Sequence, residues 1–179
     1  MGKKNLASVD LWIQRQAGKD FSRQEQVGED FSRRNLSGAT FENANFAGTN
    51  FVDAQLVKAN LMNALFVLAD FTEADLTEAN LTEANLAGAN LTNANLSNAN
   101  LAGANLVGAN LTNANLSEGY LVGTNLAGAN LTGASFVGAN LVRTYLMGAN
   151  LTNTNFKNAN FVGVDISGAN LKNAHNLER

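Results

Sequence analysis

The residue types that usually carry chemistry are few in this chain and badly placed for it. His175 is the single histidine among 179 residues and cysteine is absent. A Ser-His-Asp arrangement would need a serine and an acid brought beside His175, yet His175 stands near the C-terminal edge in a slot otherwise held by asparagine. Carboxylates crowd at Asp70, Glu73, Asp75, Glu78 and Glu83, but acid-base work by a pair of them needs a cleft. The 16 glycines build no GxGxxG or GKS/T step from strand to helix. Repeated Asn-Leu-Thr and Asn-Leu-Ser triplets match glycosylation sequons only as by-products of a repeat. These observations predict a protein that is not an enzyme, with no catalytic residue, no cofactor and no metal site.

The repeat itself is far more informative. From Phe31 to Leu171 every fifth residue is apolar without an insertion or deletion, 19 Leu, 9 Phe and 1 Ile. On an α-helix a step of five advances about 500°, so these side chains would wander round the cylinder. On a straight strand an odd period sends alternate ones to water. The period makes sense if each pentad is one short extended side of a coil, followed by a corner. Two residues before each centre, 21 of 29 slots hold Ala, which then also points inward. The slot before the centre is Asn 19 times and Asp 4 times, and the slot two after it is Gly 12 times and Asn 8 times; Gly and Asn tolerate the positive φ of a tight corner. Proline is absent, as a ladder that needs its N–H groups requires.

Stacking intervals give the number of sides. Thr72, Thr92, Thr112, Thr132 and Thr152 recur at intervals of twenty, as do Phe31, Phe51 and Phe71. Four pentads therefore close one turn. With coils one strand spacing apart, about 4.8 Å, the repeats predict an all-β solenoid of about seven coils and about 35 Å. At Ala89-Asn90-Leu91-Thr92-Asn93 and its neighbours the chain resembles the pentapeptide-repeat family, whose unit reads A(D/N)LXX. The resemblance covers about four-fifths of the chain and implies a right-handed quadrilateral β-helix. It also implies kinship with members abundant in cyanobacteria, many without an assigned activity, and with DNA-mimicking members that act on DNA gyrase. Fold membership alone does not decide between such roles.

Composition fits one soluble domain. The chain is 45% apolar with net charge −3 and has no long apolar run, which predicts neither a membrane span nor disorder. Basic residues follow Met1 without an apolar stretch behind them, so no signal peptide is expected. A cytoplasmic location fits a chain without cysteine. Between residues 31 and 175 there are 9 acids and 6 bases. B-DNA carries about one charge per 1.7 Å, so modulation of gyrase or topoisomerase by DNA mimicry is the alternative reading and the five crowded acids are its only support. Their positions spread them around several sides as a girdle. Bases form no stripe, so direct nucleic-acid binding is not expected.

The ends differ from the middle. Ser8 suits an N-cap, Val9, Trp12, Ile13 and Gln16 share a helical face, and Gly18 can end the segment; the pattern predicts one short helix near residues 9 to 17. Val9, Trp12 and Ile13 would then cap the open end of the first coil, as solenoids require. This divides the chain into a capping segment with an imperfect first coil over 1–30, with Gln26 on the beat where Leu belongs, the repeats over 31–175 and a tail over 176–179. That tail is too short for a helix, so the last coil would be open, and a homodimer through the C-terminal coil is one expected way to cover it.

Sorting the outward residues by side separates polar from apolar faces. The first side carries Thr72 to Thr152 and the second Thr77, Ser97 and Ser117. The third carries Met62, Val122, Val142 and Val162; the fourth carries Val67, Val107 and Met147. The strongest departures from the Asn slot, Leu65, Tyr120 and Tyr145, fall on the third and fourth sides, with Leu68 beside them. A contiguous apolar strip with two tyrosines is the composition of an interaction surface. The sequence therefore predicts a non-enzymatic interaction or scaffold protein whose protein partner it does not identify, binding through Leu65, Val67, Leu68, Val107, Tyr120, Val122, Val142, Tyr145, Met147 and Val162.

Overall fold

The computed structural model describes residues 16–177. Parallel bridges join each residue before a centre to the one twenty positions on, from Asp20↔Thr40 to Asn155↔His175. Pentads of five and ladders of twenty make a coil of four sides. Each side carries eight rungs; on the first side these are Asp30, Asn50, Asp70, Asn90, Asn110, Asn130, Asn150 and Asn170. Eight rungs span about 34 Å at the spacing of β-strands.

One pentad explains why the chain takes this path. Asn90 N–H donates to Ala69 O at 2.9 Å and Leu91 N–H to Asn110 O at 2.6 Å, so one pentad bonds both the coil before it and the coil after it. Asn93 N–H reaches Thr112 O at 2.9 Å, and Ala94 N–H closes the corner on Leu91 O at 3.0 Å. The one amide left, that of Thr92, donates to the Asn90 side-chain oxygen at 3.2 Å. All five N–H groups are thus satisfied in a segment too short for a regular strand. The Asn slot is an acceptor for the amide two residues on, which is why Asp substitutes there and why proline has no place.

Each corner puts its third residue in left-handed backbone. Every such residue from Gly18 to Asn173 has φ between 55° and 72°, the signature of a type II turn. Inside, every centre from Leu36 to Phe156 is at most 1% exposed. Phenylalanines stack along the axis, Phe51 on Phe71 at 4.8 Å with rings 2° apart and Phe136 on Phe156 at 5.3 Å. Where Thr replaces the inward Ala it is buried and spends its hydroxyl on a carbonyl of the preceding coil. Thr124 Oγ1 donates to Leu101 O and Thr144 Oγ1 to Leu121 O, both at 2.7 Å.

Two differences from the sequence expectation lie at the N-terminal end. The ladder begins at Asp20, ahead of the 31–175 repeat block, and Phe21 is only 3% exposed, so there are eight rungs per side and not about seven. The inward slots of this first coil hold Lys19, Gln24, Glu29 and Arg34, and the absence of Ala there hides the coil from a search for the repeat. Lys19 Nζ lies 5.0 Å from the Phe21 ring centre and the Arg34 guanidinium 4.3 Å from that of Phe31, so cations cover the outermost rings. No helix occurs among the described residues. Val9, Trp12 and Ile13, expected in a capping helix, lie outside the described residues. Gln16 to Gly18, the expected last turn of that helix, form a solenoid corner, with Lys19 N–H on Gln16 O at 3.1 Å and Gly18 at φ 68°.

Candidate interaction surface

Outward side chains come from three slots of each pentad: the bridge residue, the residue after the centre and the corner. On the first side these slots make a continuous polar ladder. Thr112 Oγ1 donates to Asn110 Oδ1 at 2.7 Å and accepts from Asn130 Nδ2 at 3.0 Å, and the same pairing joins Thr92, Asn110, Thr132, Asn150 and Thr152. Such a face has its hydrogen-bonding groups already matched to one another.

The third and fourth sides differ. The large apolar side chains exposed in the described residues are Val27, Leu65, Leu68, Val107, Tyr120, Tyr145, Met147 and Val162, and by their ladder positions all eight belong to these two sides. Val67, Val122 and Val142 are half-buried between them. Tyr120 bridges Asn100 and Asn140 on the third side, and Tyr145 bridges Asn125 and Asp165 on the fourth. They occupy neighbouring sides of successive coils, and no ring contact joins them among the described residues.

These apolar residues are not what the solenoid itself asks for. Leu65, Tyr120 and Tyr145 occupy the Asn slot without its acceptor, so the amides of Val67, Val122 and Met147 make no hydrogen bond among the described residues, whereas Asn105 in the same slot accepts from Val107 at 3.2 Å. Each replacement forgoes a hydrogen bond of about 1 kcal/mol. Leu68 is the sharper case. It stands at φ 59° and is 70% exposed, whereas Gly48, Gly88, Gly108, Gly128, Gly148 and Gly168 hold the other corners of that side from Gly48 onward. A left-handed residue with a Cβ costs about 1–2 kcal/mol, a cost that polar corners such as Lys58 and Glu73 also carry; what sets Leu68 apart is that it is the one apolar side chain among these non-Gly corners, exposed where the fold does not need it.

The acids and the histidine take ordinary structural positions. Asp70 and Glu73 lie on the first side, Asp75 and Glu78 on the second and Glu83 on the third, and Lys58 Nζ sits 3.4 Å from Glu78. His175 occupies the last bridge slot of the second side, its amide on Thr154 O at 2.9 Å. No group of metal-binding side chains occurs among the described residues, and no helix there is long and apolar enough to cross a membrane.

The last described coil frames a cleft of about 790 Å³ lined by Phe161, Val162, Val164, Ile166, Leu171 and Leu177 together with Asp165 and Ser167. Its centres lose the full burial of the earlier coils.

A model of pentapeptide repeats matches residues 30–63, 69–108, 109–146 and 139–175 in eight copies. The chain belongs to the pentapeptide-repeat family. A solved structure of trypsin-treated QnrB1, a plasmid-mediated fluoroquinolone resistance protein, is 21% identical over 88% of this chain and 85% of that one, with a TM-score of 0.52, and it shows the right-handed β-helix fold. HetL from the cyanobacterium Nostoc sp. strain PCC 7120, a pentapeptide-repeat protein involved in regulating heterocyst differentiation, is 26% identical over 97% of this chain and 96% of its own, with a TM-score of 0.48. The alr5209 protein of Nostoc PCC 7120 is 36% identical over 54% of this chain and 83% of its own, with a TM-score of 0.46. No curated protein matches the chain in sequence.

Proposed function

We propose that this pentapeptide-repeat chain is a non-enzymatic interaction protein that binds another protein through the third and fourth sides of its β-helix, with Tyr120, Tyr145, Met147 and the Leu65–Leu68 pentad as anchors. The observation that carries the reading is the confinement of the exposed large apolar side chains to two adjacent sides, at slots where three of them forgo a backbone hydrogen bond. Buried aromatic anchors dominate many interfaces, and scattered surface apolar residues would not select two faces out of four. The five acids between Asp70 and Glu83 lie on three successive sides, which argues against their acting as a strand-like track of charge.

The test is the double substitution Tyr120→Asn with Tyr145→Asn, which restores the repeat's own residue at both positions. Loss of partner binding in this variant, with binding retained when Thr112 and Thr132 on the first side become Lys, supports the reading. The reverse pattern sinks it. A second contact is proposed at the last described coil, because Phe161, Ile166 and Leu171 line a cleft there beside Asp165 and Ser167, and the amides of Phe161, Ile166 and Leu171 make no hydrogen bond among the described residues. A homodimer formed there would be lost on substituting Ile166 by Asp.

A further inference from the structure

We infer that the fourth side pairs with the fourth side of a second copy of this chain, the two rods lying antiparallel and face to face about a two-fold axis through the coil of Val107. The inference rests on the interaction reading above and names its occupant.

The argument is one of self-complementary spacing. The ladder Leu65↔Asn85, Asn85↔Asn105, Asn105↔Asn125 and Asn125↔Tyr145 places the Leu65–Leu68 pentad two coils to one side of Val107 and the Tyr145–Gly148 pentad two coils to the other. A two-fold axis in the interface plane and perpendicular to the rods lays each slot over the same slot of the opposite coil. Leu65 then meets Tyr145 of the second copy, Val67 meets Met147, Ala87 meets Ala127, and Val107 meets its own counterpart. Leu68, the one corner side chain that projects from this side, stands opposite Gly148 and, because it reaches over Gly88, falls against Gly128 of the second copy; an added Cβ at Gly148 or Gly128 would find nothing within 4 Å. The space over Gly108 is open in the same way, so no corner side chain stands between the two faces at the axis. Asn105 faces Asn105 across the axis, where two amides can exchange hydrogen bonds. An isologous interface requires this kind of matching of a patch to itself.

Charge agrees with the pairing. Two copies of a chain of net charge −3 repel, yet the outward slots of the fourth side carry no charged residue from Asn45 to Gly148. Of the acids at its ends, Asp165 falls opposite Asn45, and Glu25 lies beyond the overlap. The face is about 34 Å long and about 10 Å wide, so it would bury less than half of the roughly 800 Å² per partner of a stable dimer. The pairing is accordingly weak and dependent on concentration.

Single cysteines test this cleanly because the full chain has none. Sheets packed face to face lie about 10 Å apart, beyond the roughly 7 Å that a disulfide spans, so the thiols are joined with a short bismaleimide. Val107→Cys should form a cross-linked dimer with this reagent at least tenfold faster than Thr112→Cys on the first side. Val67→Cys and Met147→Cys should each fail to link alone and link when mixed. Adding Leu68→Gly and Tyr145→Asn to Val107→Cys should abolish linking, and sedimentation of the wild type should show a mass rising with concentration that this double variant lacks. Linking at position 107 no faster than at 112, or a monomer at every concentration, overturns the inference. If Ser167→Cys links instead, the copies meet end to end and the lateral pairing is wrong. Should self-pairing fail while a different protein still binds through Tyr120 and Tyr145, the proposed function stands and only its assignment to a second copy falls.

Discussion

Leu68 spreads its side chain over the corner of Gly88 one coil on, so that a Cβ added at Gly88 would stand 2.8 Å from Leu68 Cδ2. The pair places a left-handed, largely exposed leucine on a side whose other corners from Gly48 onward are glycine. Replacing Leu68 by Gly removes a backbone strain of about 1–2 kcal/mol and adds unfolded-chain entropy costing about 0.4–1 kcal/mol. The variant should therefore be more stable by about 0.5 kcal/mol in denaturant unfolding while losing affinity for a partner. A loss of stability above about 1 kcal/mol would make Leu68 a packing residue and remove it from the surface argument.

Tyr120→Asn and Tyr145→Asn should likewise stabilise the fold. Each new side chain offers the amide of Val122 or Met147 the acceptor that Asn105 gives Val107 at 3.2 Å, a gain of about 0.5–1.5 kcal/mol apiece. The midpoint of urea unfolding reports it, and a drop on both substitutions would mean that the rings hold the coils together.

Leu106 is central in the rod and 0% exposed, with coils on both sides of it. Its change to Ala should cost about 2–5 kcal/mol. A cost under about 1 kcal/mol would contradict a core stacked from centre residues.

Acid should act on the edges. The Ser167 hydroxyl, at 2.6 Å, and then its amide, at 2.9 Å, hold the Asp165 carboxyl below its usual 3.8. The Ser32 amide and hydroxyl do the same for Asp30. A depressed folded-state value means that the stabilisation is complete above about pH 4 and is lost as the pH falls through the folded pKa. Carboxyl carbon shifts followed by NMR should show both aspartates titrating below the ordinary value; a midpoint above it would contradict these contacts.

The beat made most of the fold legible. Leu91 and its equivalents are buried because an odd spacing leaves them no other consistent address, and Thr72 to Thr152 gave the four sides because stacking repeats at one coil. The first coil was legible only as an imperfect one within 1–30, since Lys19, Gln24, Glu29 and Arg34 occupy the inward slots where Ala marks the repeat. The signal that could have counted it as a full coil is the unbroken spacing of Phe21 and Gly18 from Phe31 and Gly28. The purpose of the Asn slot was also hidden: its frequency was plain, but the bond from Asn90 to the Thr92 amide appears only with the corner geometry. Once that bond is known, Leu65, Tyr120 and Tyr145 are residues that cost the solenoid something, where the sequence shows them only as departures from a consensus.

The most direct measurement of the central claim places one photo-crosslinking side chain at Met147 on the fourth side and, in a separate protein, at Thr112 on the first, and compares adduct yields with the protein in its native extract. Adducts from position 147 in clear excess, lost when Tyr120 and Tyr145 become Asn, are the predicted result. Equal or greater yield from position 112 would contradict the assignment of the functional face.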